Sequence, residues 1–315
     1  MLNNAQIRQV VALALAEDLG KGDVTTSSLI PSEKIGVASI LAKEEGILAG
    51  VEIAEEVFRQ VDAELKVKVS LKDGVKINTG DVIATVAGKI ASILKAERTA
   101  LNFLQRLSGI ATETNKYVKA VEGLPVQIMD TRKTTPGLRV LEKYAVKVSG
   151  GKNHRMHLGD GILIKDNHLA ALRSDGLSIK EIIARARQNA PLSLRAAPSQ
   201  SPEVMRKGRR VKGNSSLITH HPSLIELEVS TTQGALEAAE AGADVIMLDN
   251  MSLEDMRQAV KAVHGRALVE ASGGITLDTV RAVAETGVDF VSVGALTHSV
   301  KALDISLELE ASSRG

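Results

Sequence analysis

The chain has 315 residues, 44 % of them hydrophobic, which is enough apolar material to bury one large core or two medium ones. Its 39 Lys and Arg nearly balance its 38 Asp and Glu, and it has three Phe, two Tyr and no Trp, so neither a global positive field nor a stacking surface favours nucleic acid. Cysteine is absent, which excludes disulfides, thiolate metal sites and Cys nucleophiles.

The sequence also argues against a membrane protein. No apolar run approaches the roughly 20 residues that a transmembrane helix needs, and the first residues lack the basic start and small-residue cleavage site of a signal peptide. We therefore expect a cytoplasmic protein whose affinity for anions, if any, is local.

The first part of the chain contains a helix, several short strands and a long helix. Residues 5–17 carry apolar side chains at helical spacing, and the pattern stops at Gly20. Residues 37–91 change to short β-type runs separated by turns. A second helical pattern covers residues 92–123, with a predicted break at Gly109.

Strands alternate with helices in the second part. Six apolar runs are predicted strands: PVQIMD (125–130), GILIKD (161–166), LIELEV (224–229), ADVIMLD (243–249), ALVEAS (267–272) and VDFVSVG (288–294). The last four recur about every twenty residues with helical stretches between them, and this βαβ rhythm implies parallel strands in a barrel or a doubly wound sheet.

Residues 192–223 interrupt this rhythm. The stretch is rich in Pro and Ser, and it contains five clustered cations: Arg206, Lys207, Arg209, Arg210 and Lys212. We interpret it as an insertion, either a solvated surface loop or a functional loop, because unpatterned connections of this length are uncommon in compact domains.

Each predicted strand ends in a polar or glycine-rich group. The six ends are DTRK, KDNH, ELEVS, MLDN, EASGG and SVGALTHS. In a parallel α/β barrel these ends lie on one face, which carries the active site. The sequence therefore predicts that the six groups share one site.

Two of these ends predict a phosphate site. Both place glycine just after a strand, and the residues concerned are Ser272, Gly273, Gly274, Val293, Gly294 and Ala295. The first stretch is also predicted to open a helix, so backbone N–H groups and the helix dipole could hold an anion. The alternative is that these glycines only form turns.

Two other ends predict a metal site. Glu228 and Asp249 end neighbouring strands, and paired carboxylates suit Mg²⁺ and its preference for oxygen ligands. Glu226 shares a face with Glu228 by strand alternation, so either could point inward. The alternative for each is a structural ion pair with a nearby Lys or Arg.

The remaining strand-end group is cationic. It comprises Arg132, Lys133, His154, Arg155, Lys165 and His168, with Arg139, Lys143, Lys147 and Lys152 around them. Such a cluster beside a phosphate and Mg²⁺ site implies a substrate with more than one negative group, because guanidinium pairs bidentately with carboxylates. A zinc site on His154, His157 and His168 is rejected, because carboxylates at suitable spacing are missing and the cations would repel a metal.

Nine stretches in a fixed order carry a resemblance to a known family. They are ERTALNFLQRLSGIAT, DTRKTTPGLR, EKYAV, GGKNHR, LIKDNH, IELEV, MLDN, EASGGI and TGVDFVSVGALTHS. With them the chain resembles the quinolinate phosphoribosyltransferases from residue 17 to residue 299.

The resemblance implies an α/β fold with two domains. An N-terminal α/β sandwich would cover residues 1–110, with a C-terminal helix over 301–315 packed on it. A TIM-like, open parallel α/β barrel of the type II phosphoribosyltransferases would cover 111–300, and the subunit would form at least a homodimer. The implied reaction joins quinolinate to the ribose of phosphoribosyl pyrophosphate, releasing pyrophosphate and CO₂ and making nicotinate mononucleotide for NAD synthesis, with Mg²⁺ on the pyrophosphate and no organic cofactor.

The resemblance also implies residue roles. Arg132, Arg155 and Lys165 would hold the quinolinate carboxylates, with Thr131 and His154 in the same binding set. Lys133 would lie between the two substrates, and Glu228 and Asp249 near the ribose and the metal. The segments 272–274 and 293–295 would bind the 5′-phosphate, and Arg98 would reach the neighbouring subunit's site.

Two departures from the family pattern stand out. Ser149 replaces a glycine that usually precedes GGKNHR, which could disturb His154 and Arg155. The insertion precedes Glu226 and Glu228, and a shift in strand register would exchange which of them faces the pocket.

Three other interpretations compete with this one, and the sequence supports each of them less well. A related phosphoribosyltransferase-like protein associated with molybdenum transport shares the fold, although the complete DTRKTT, NHR and KDNH set favours quinolinate. Another phosphate-binding barrel, such as an aldolase or isomerase, would need a Schiff-base lysine or a general base in a drier site. Residues 37–91 also resemble the hairpins of biotinyl or lipoyl carriers, but no modifiable lysine stands at an exposed hairpin tip.

Overall fold

The computed structural model describes residues 3–190 and 224–310. The helices are α1 Asn4–Leu19, α2 Val24–Leu29, α3 Val51–Val61, α4 Ile90–Ala120, α5 Arg139–Val148, α6 Asp166–Arg173, α7 Ile179–Asn189, α8 Thr232–Glu240, α9 Leu253–Val263, α10 Val280–Ala284 and α11 Ala295–His298. The strands are β1 Ile35–Ala42, β2 Gly46–Ile47, β3 Lys66–Val69, β4 Lys76–Ile77, β5 Val82–Lys89, β6 Gln127–Met129, β7 Ile162–Ile164, β8 Ile225–Val229, β9 Val245–Asp249, β10 Leu268–Ser272, β11 Phe290–Ser292 and β12 Ile305–Leu309. The predicted insertion at 192–223 lies outside the described residues.

The chain forms two compact units. The first comprises Met1–Asn115, Thr134–Gly150 and Leu296–Gly315, and the second comprises Lys116–Lys133 and Gly151–Ala295. Among the described helices, none is long and apolar enough to cross a membrane.

The first unit is built on a four-stranded antiparallel sheet in the order β12-β1-β5-β3. β1 alternates as its sequence requires, with Ala38, Ile40 and Ala42 buried. The predicted first helix is confirmed: α1 starts behind Asn3, whose side chain accepts the Ala5 N–H, and it ends at Gly20 with φ 45°.

The predicted break at Gly109 is wrong, because α4 runs unbroken through it. A Cβ at this position would lie 2.3 Å from the backbone oxygen of Lys301. Glycine is therefore required by the close approach of another backbone segment of the first unit and not by a change of direction.

The predicted C-terminal helix is also wrong. Ile305–Leu309 is the strand β12, which pairs antiparallel with β1 and places Leu307 opposite Ile40. An alternating run such as ISLEL suits a half-buried strand, and the open edge of β1 supplies the partner.

The second unit is built on six parallel strands in the order β6-β11-β10-β9-β8-β7. The first of these strands in the chain lies beside the last, which is the cyclic order of a barrel, and β6 and β7 are its open ends. Lys152 forms one parallel bridge with Met129 next to this opening. The predicted open α/β barrel and its six strands are confirmed.

Candidate active site

The register of the barrel strands brings the predicted polar ends to one edge. Ser272 at the end of β10 pairs with Asp249 at the end of β9. Glu228 pairs with Met247, two residues before Asp249 on the neighbouring strand. Because the strands are parallel, these side chains share the C-terminal edge of the sheet.

Asp130 anchors the segment that carries two of the predicted binding residues. Its buried carboxylate accepts the backbone N–H of His154 at 2.8 Å and the side-chain amide of Asn153 at 2.6 Å. The sequence shows Asp130 only as one of a few acids among the cations. Its work is to fix the 153–155 segment beside the end of β6.

The turn after β6 presents Lys133. The Lys133 backbone N–H donates to the Thr131 hydroxyl at 3.0 Å, which closes a short turn, and the Lys133 side chain is exposed. The following loop belongs to the first unit, where the buried carboxylate of Glu142 accepts the Thr135 N–H at 3.0 Å and the Arg106 guanidinium at 2.8 Å. Sequence patterns gave no indication of this Arg106–Glu142 pair.

Arg155 lies in a crowded electrostatic environment. Partial burial lowers the pKa of its guanidinium, the Glu226 carboxylate raises it, and the nearby charge of Arg132 lowers it again. Two guanidinium groups that repel each other favour an anion placed between them. Arg132 and Arg155 are therefore close enough for their charges to interact.

Lys165 pairs with a second predicted site residue. Its Nζ lies 2.7 Å from Oε2 of Glu228, and the Glu228 side chain is only 11 % exposed. Glu228 thus forms the ion pair that was the alternative to a metal-binding role, and it still lies at the C-terminal edge of the barrel sheet. Glu226 and Glu228 lie on the same face of β8, and both point inward. Glu226 lies two residues earlier on the strand and is therefore farther from its C-terminal end.

A buried cluster lies beneath these groups. His154 Nε2 is 3.1 Å from Oε2 of Glu226 and 3.7 Å from Oε2 of Glu270, and all three side chains are buried. Burial, with the Glu226 charge, raises the pKa of Glu270 to about 7, although His154 and Lys165 lower it. Glu270 was absent from the sequence prediction; strand alternation gives a signal for it, because it lies two residues before Ser272 and so shares its face.

The three histidines considered for a zinc site, His154, His157 and His168, do not form one site. His157 pairs with Asp160 at 2.9 Å in an exposed turn, and the His168 ring accepts the Lys165 N–H to cap α6. Carboxylates do lie beside His154, contrary to the prediction, because the fold supplies Glu226 and Glu270 from distant strands.

The first glycine loop runs against the end of β9. Gly273 and Gly274 have φ of 91° and 61°, and a Cβ on Gly273 would lie 2.3 Å from Oδ1 of Asn250. The Asn250 N–H donates to the Ser272 carbonyl at 2.9 Å. Glycine is therefore needed here for both its backbone angle and its lack of a side chain.

The prediction that this loop opens a helix is wrong. A turn at 276–279 intervenes, in which the Thr276 N–H donates to the Thr279 hydroxyl, and α10 starts only at Val280. The loop therefore has no helix dipole to help it bind an anion. In the second loop, the Val293 N–H donates to the Met129 carbonyl at 2.9 Å, which holds residues 293–295 at the same edge of the sheet.

Several predicted residues lie in the first unit. Arg98 is exposed on α4, and Arg139, Lys143 and Lys147 lie on α5, with Lys143 fully buried. Ser149 does not need to be glycine, because its φ is −96° and its hydroxyl donates to the carbonyls of Ala145 and Val146 at 3.0 Å. The positive φ in this turn falls on Gly150, at 99°.

An open parallel barrel with cations, carboxylates and glycine loops at its strand ends defines a barrel enzyme that acts on anionic substrates. Family comparisons are more specific. The C-terminal domain of quinolinate phosphoribosyl transferase matches residues 110–197 and 207–308, and the N-terminal domain of the same family matches residues 23–108. The chain belongs to the quinolinate phosphoribosyl transferase family, which confirms the family predicted from its motifs.

Relatives match over nearly the full length. The chain is 42 % identical to the probable nicotinate-nucleotide pyrophosphorylase [carboxylating] of Bacillus subtilis, over 99 % of this chain and 96 % of that protein. It is 40 % identical to the quinolinate phosphoribosyltransferase [decarboxylating] 2b, mitochondrial, of Nicotiana tabacum, over 96 % of this chain and 82 % of the relative. The crystal structure of NadC from Streptococcus pyogenes superimposes with a TM-score of 0.84 at 40 % identity, covering 98 % of both chains.

The matched ranges bear on two earlier interpretations. The N-terminal family domain covers the stretch that resembles biotinyl and lipoyl carriers, so that stretch belongs to this family instead. The gap between the C-terminal matches, residues 198–206, falls inside the predicted insertion.

Proposed function

We propose that this chain transfers the phosphoribosyl group of phosphoribosyl pyrophosphate to quinolinate, releasing pyrophosphate and CO₂ and forming nicotinate mononucleotide for NAD synthesis. The observation that carries the proposal is the family match over both domains, combined with Arg132, Arg155 and Lys165 at one edge of the barrel.

The cations would bind quinolinate. Arg132 and Arg155 would each face a carboxylate, because a planar guanidinium donates two parallel hydrogen bonds to a carboxylate group. A dianion would also relieve the repulsion between the two guanidinium groups. Lys165 and the His154 segment would complete this half of the site, with Thr131 shaping the turn that presents Lys133.

The carboxylates would act on the ribose. As pyrophosphate leaves, positive charge develops on the ribose ring, and Glu228 and Asp249 would stabilise it by their negative charge. Lys133 would lie between the two substrates and balance the charge of the departing group. The backbone N–H groups of 272–274 and 293–295 would hold the 5′-phosphate.

The substrate itself provides for decarboxylation. Once the ring nitrogen has bonded to the ribose carbon, it carries a positive charge. Breaking the bond to the adjacent carboxylate releases CO₂ and leaves the electron pair on a ring carbon beside that nitrogen, where a proton then adds. No organic cofactor is required for this step.

Mg²⁺ is the metal we propose. Glu228 and Asp249 fit it, because they offer only oxygen donors and Mg²⁺ takes few protein ligands when substrate phosphates supply the rest. When bound, the metal would neutralise the developing charge of pyrophosphate. Lys165, which pairs with Glu228, would have to share that carboxylate with the metal or the ribose.

We also propose a cytoplasmic homodimer in which Arg98 reaches the neighbouring subunit's site. Arg98 is exposed on α4 and so is available for such a contact. Mixing inactive Arg98→Ala and Lys133→Ala subunits should restore about a quarter of wild-type activity, since half of the dimers would then carry one intact site. No recovery after verified subunit exchange would show that Arg98 acts within its own subunit.

Purified protein with quinolinate, phosphoribosyl pyrophosphate and Mg²⁺ tests the reaction. We expect equal amounts of CO₂ and nicotinate mononucleotide, loss of turnover with EDTA and recovery with added Mg²⁺. Turnover with nicotinate and none with quinolinate would contradict the proposed substrate.

A further inference from the structure

Glu270 is a buried titratable group that the proposed reaction does not use. It projects from β10, beneath the predicted binding residues Arg132, Arg155 and Lys165, and its side chain is fully buried. Neither of its carboxyl oxygens has a hydrogen-bond partner in residues 3–190 and 224–310. One oxygen nevertheless lies 3.7 Å from His154 Nε2, and the ligand atoms of His154, Glu226 and Glu270 all lie within 4.8 Å of one another.

The hydrogen bonds of His154 locate its proton. Nδ1 accepts the backbone N–H of Arg155 at 2.8 Å, so in the neutral ring the proton is on Nε2, which points at Glu226 and Glu270. A metal on Nε2 would require the proton on Nδ1, where it would oppose the Arg155 N–H. The geometry therefore favours a proton-holding cluster over a metal site.

The cluster is connected to a substrate-binding residue. The His154 ring contacts the Arg155 backbone through Nδ1, and the His154 backbone is fixed by Asp130. A tilt of the ring would therefore shift the start of the Arg155 side chain. An error of about 1 Å at such a position can change rates by orders of magnitude.

We propose that Glu270 is a positioning residue: it closes the buried cluster around His154 Nε2, keeps the imidazole in its Nε2–H form and orientation, and so sets the place of Arg155 for binding a quinolinate carboxylate. The proposal rests on the proposed function for its substrate. It assigns the buried glutamate to the quinolinate half of the site and not to the ribose half.

The surroundings of Glu270 support this role. The charged groups that face it are Glu226 on β8, His154 and, beyond them, Lys165, while the Ser292 hydroxyl on β11 is near it without hydrogen-bond geometry. Burial raises the pKa of Glu270 to about 7, so at neutral pH the group carries a proton for much of the time. In that form it can donate to a neighbour instead of adding a second buried charge beside Glu226.

Kinetics of two substitutions test the proposal. Glu270→Ala should raise the quinolinate KM about tenfold or more and leave the phosphoribosyl pyrophosphate KM within about twofold, because only the Arg155 side of the site loses its support. Glu270→Gln, which mimics the protonated form, should resemble wild type at pH 6. We expect the quinolinate KM to change between pH 6 and pH 8 in wild type and to stay constant in this variant.

Val269→Ala is the matched control. Val269 is buried on the opposite face of the same strand, so its truncation weakens β10 without touching the cluster. It should leave both KM values near wild type. Equal increases in both KM values for Glu270→Ala, or a quinolinate-selective increase for Val269→Ala, would overturn the proposal.

A second measurement does not depend on turnover. Histidine ¹⁵N NMR, with His154 assigned by a His154→Asn variant, should show the Nε2–H form in wild type and a changed signal in Glu270→Ala. An Nδ1–H form, or one tightly bound divalent ion per chain that is lost in Glu270→Ala, would overturn the proposal in favour of a metal site. A wild-type enzyme that does not convert quinolinate would contradict the proposed function and leave this spectrum as the test of the cluster.

Discussion

Arg155 shows how single residues in this site carry more than one duty. Its backbone donates to His154, and its guanidinium lies in the fields of Glu226 and Arg132 and donates to the Gly161 carbonyl at 3.4 Å. The same side chain is proposed to bind a substrate carboxylate. Truncating it should therefore affect one substrate much more than the other.

We predict that Arg155→Ala raises the quinolinate KM about 100-fold and the phosphoribosyl pyrophosphate KM much less, because a charge-assisted carboxylate contact is lost. Steady-state kinetics with each substrate varied in turn will check this. Arg257→Ala is the control, since Arg257 is an exposed helix residue 3.8 Å from Glu254. Equal loss of affinity for both substrates would mean that the cations are not divided between them as proposed.

Gly273 has a positive φ and lies close to the Asn250 side chain, and the two effects on stability can be measured separately. Gly273→Ala should lower the free energy of unfolding by about 3 kcal/mol, because it adds a clash with Asn250 to the cost of a positive φ. Gly242→Ala is the control: its φ is 87° with no atom within 4 Å of the added Cβ, so it should cost about 1 kcal/mol. Denaturant unfolding of both variants gives the difference, and equal costs would contradict the close approach.

At the scale of elements, the sequence predicted the barrel strands well. Each of the six predicted runs contains an observed strand, because continuous apolar runs bounded by turns are a local signal. The errors have a different cause. Gly109 and the C-terminal segment were misassigned because their partners, the Lys301 carbonyl and the open edge of β1, are distant in sequence.

The close approach of Lys301 to Gly109 predicts whether an alanine at this position raises or lowers the stability of the protein. Glycine to alanine in a helix ordinarily stabilises by about 0.5–1 kcal/mol, yet Gly109→Ala should destabilise by about 1–3 kcal/mol because the Lys301 carbonyl must move. Asn102→Ala, at an exposed position of the same helix, should give a small gain. Thermal unfolding of both variants will decide, and a higher Tm for Gly109→Ala would contradict the packing.

At the scale of the whole molecule, Glu270 links stability to pH. Its folded pKa of about 7 exceeds its unfolded value of 4.5, so the folded state binds more protons between these values. Glu270 therefore lowers the free energy of unfolding by an amount that depends on pH. This loss of stability is absent below the unfolded pKa, grows as pH rises between the two pKa values and is constant above about pH 7.

We therefore compare the free energy of unfolding of Glu270→Gln with that of wild type at pH 5 and at pH 8. The advantage of the variant should be about 2 kcal/mol larger at pH 8, since the amide cannot ionise. The comparison removes contributions from the other titrating groups, which both proteins share. Urea unfolding at the two pH values measures it. A difference in unfolding free energy that does not change with pH would contradict the burial of an ionisable Glu270.

The sequence by itself determined the parallel strands, their polar and glycine-rich ends and the family, because alternation, turn residues and motif order are properties of neighbouring residues. Only the tertiary structure brought His154 to Glu226, which is 72 positions away, and to Glu270. It also decided which glycines face another backbone and which carboxylate pairs with Lys165. Contacts between residues distant in sequence form when separate strands pair, and no local pattern records which residues then meet.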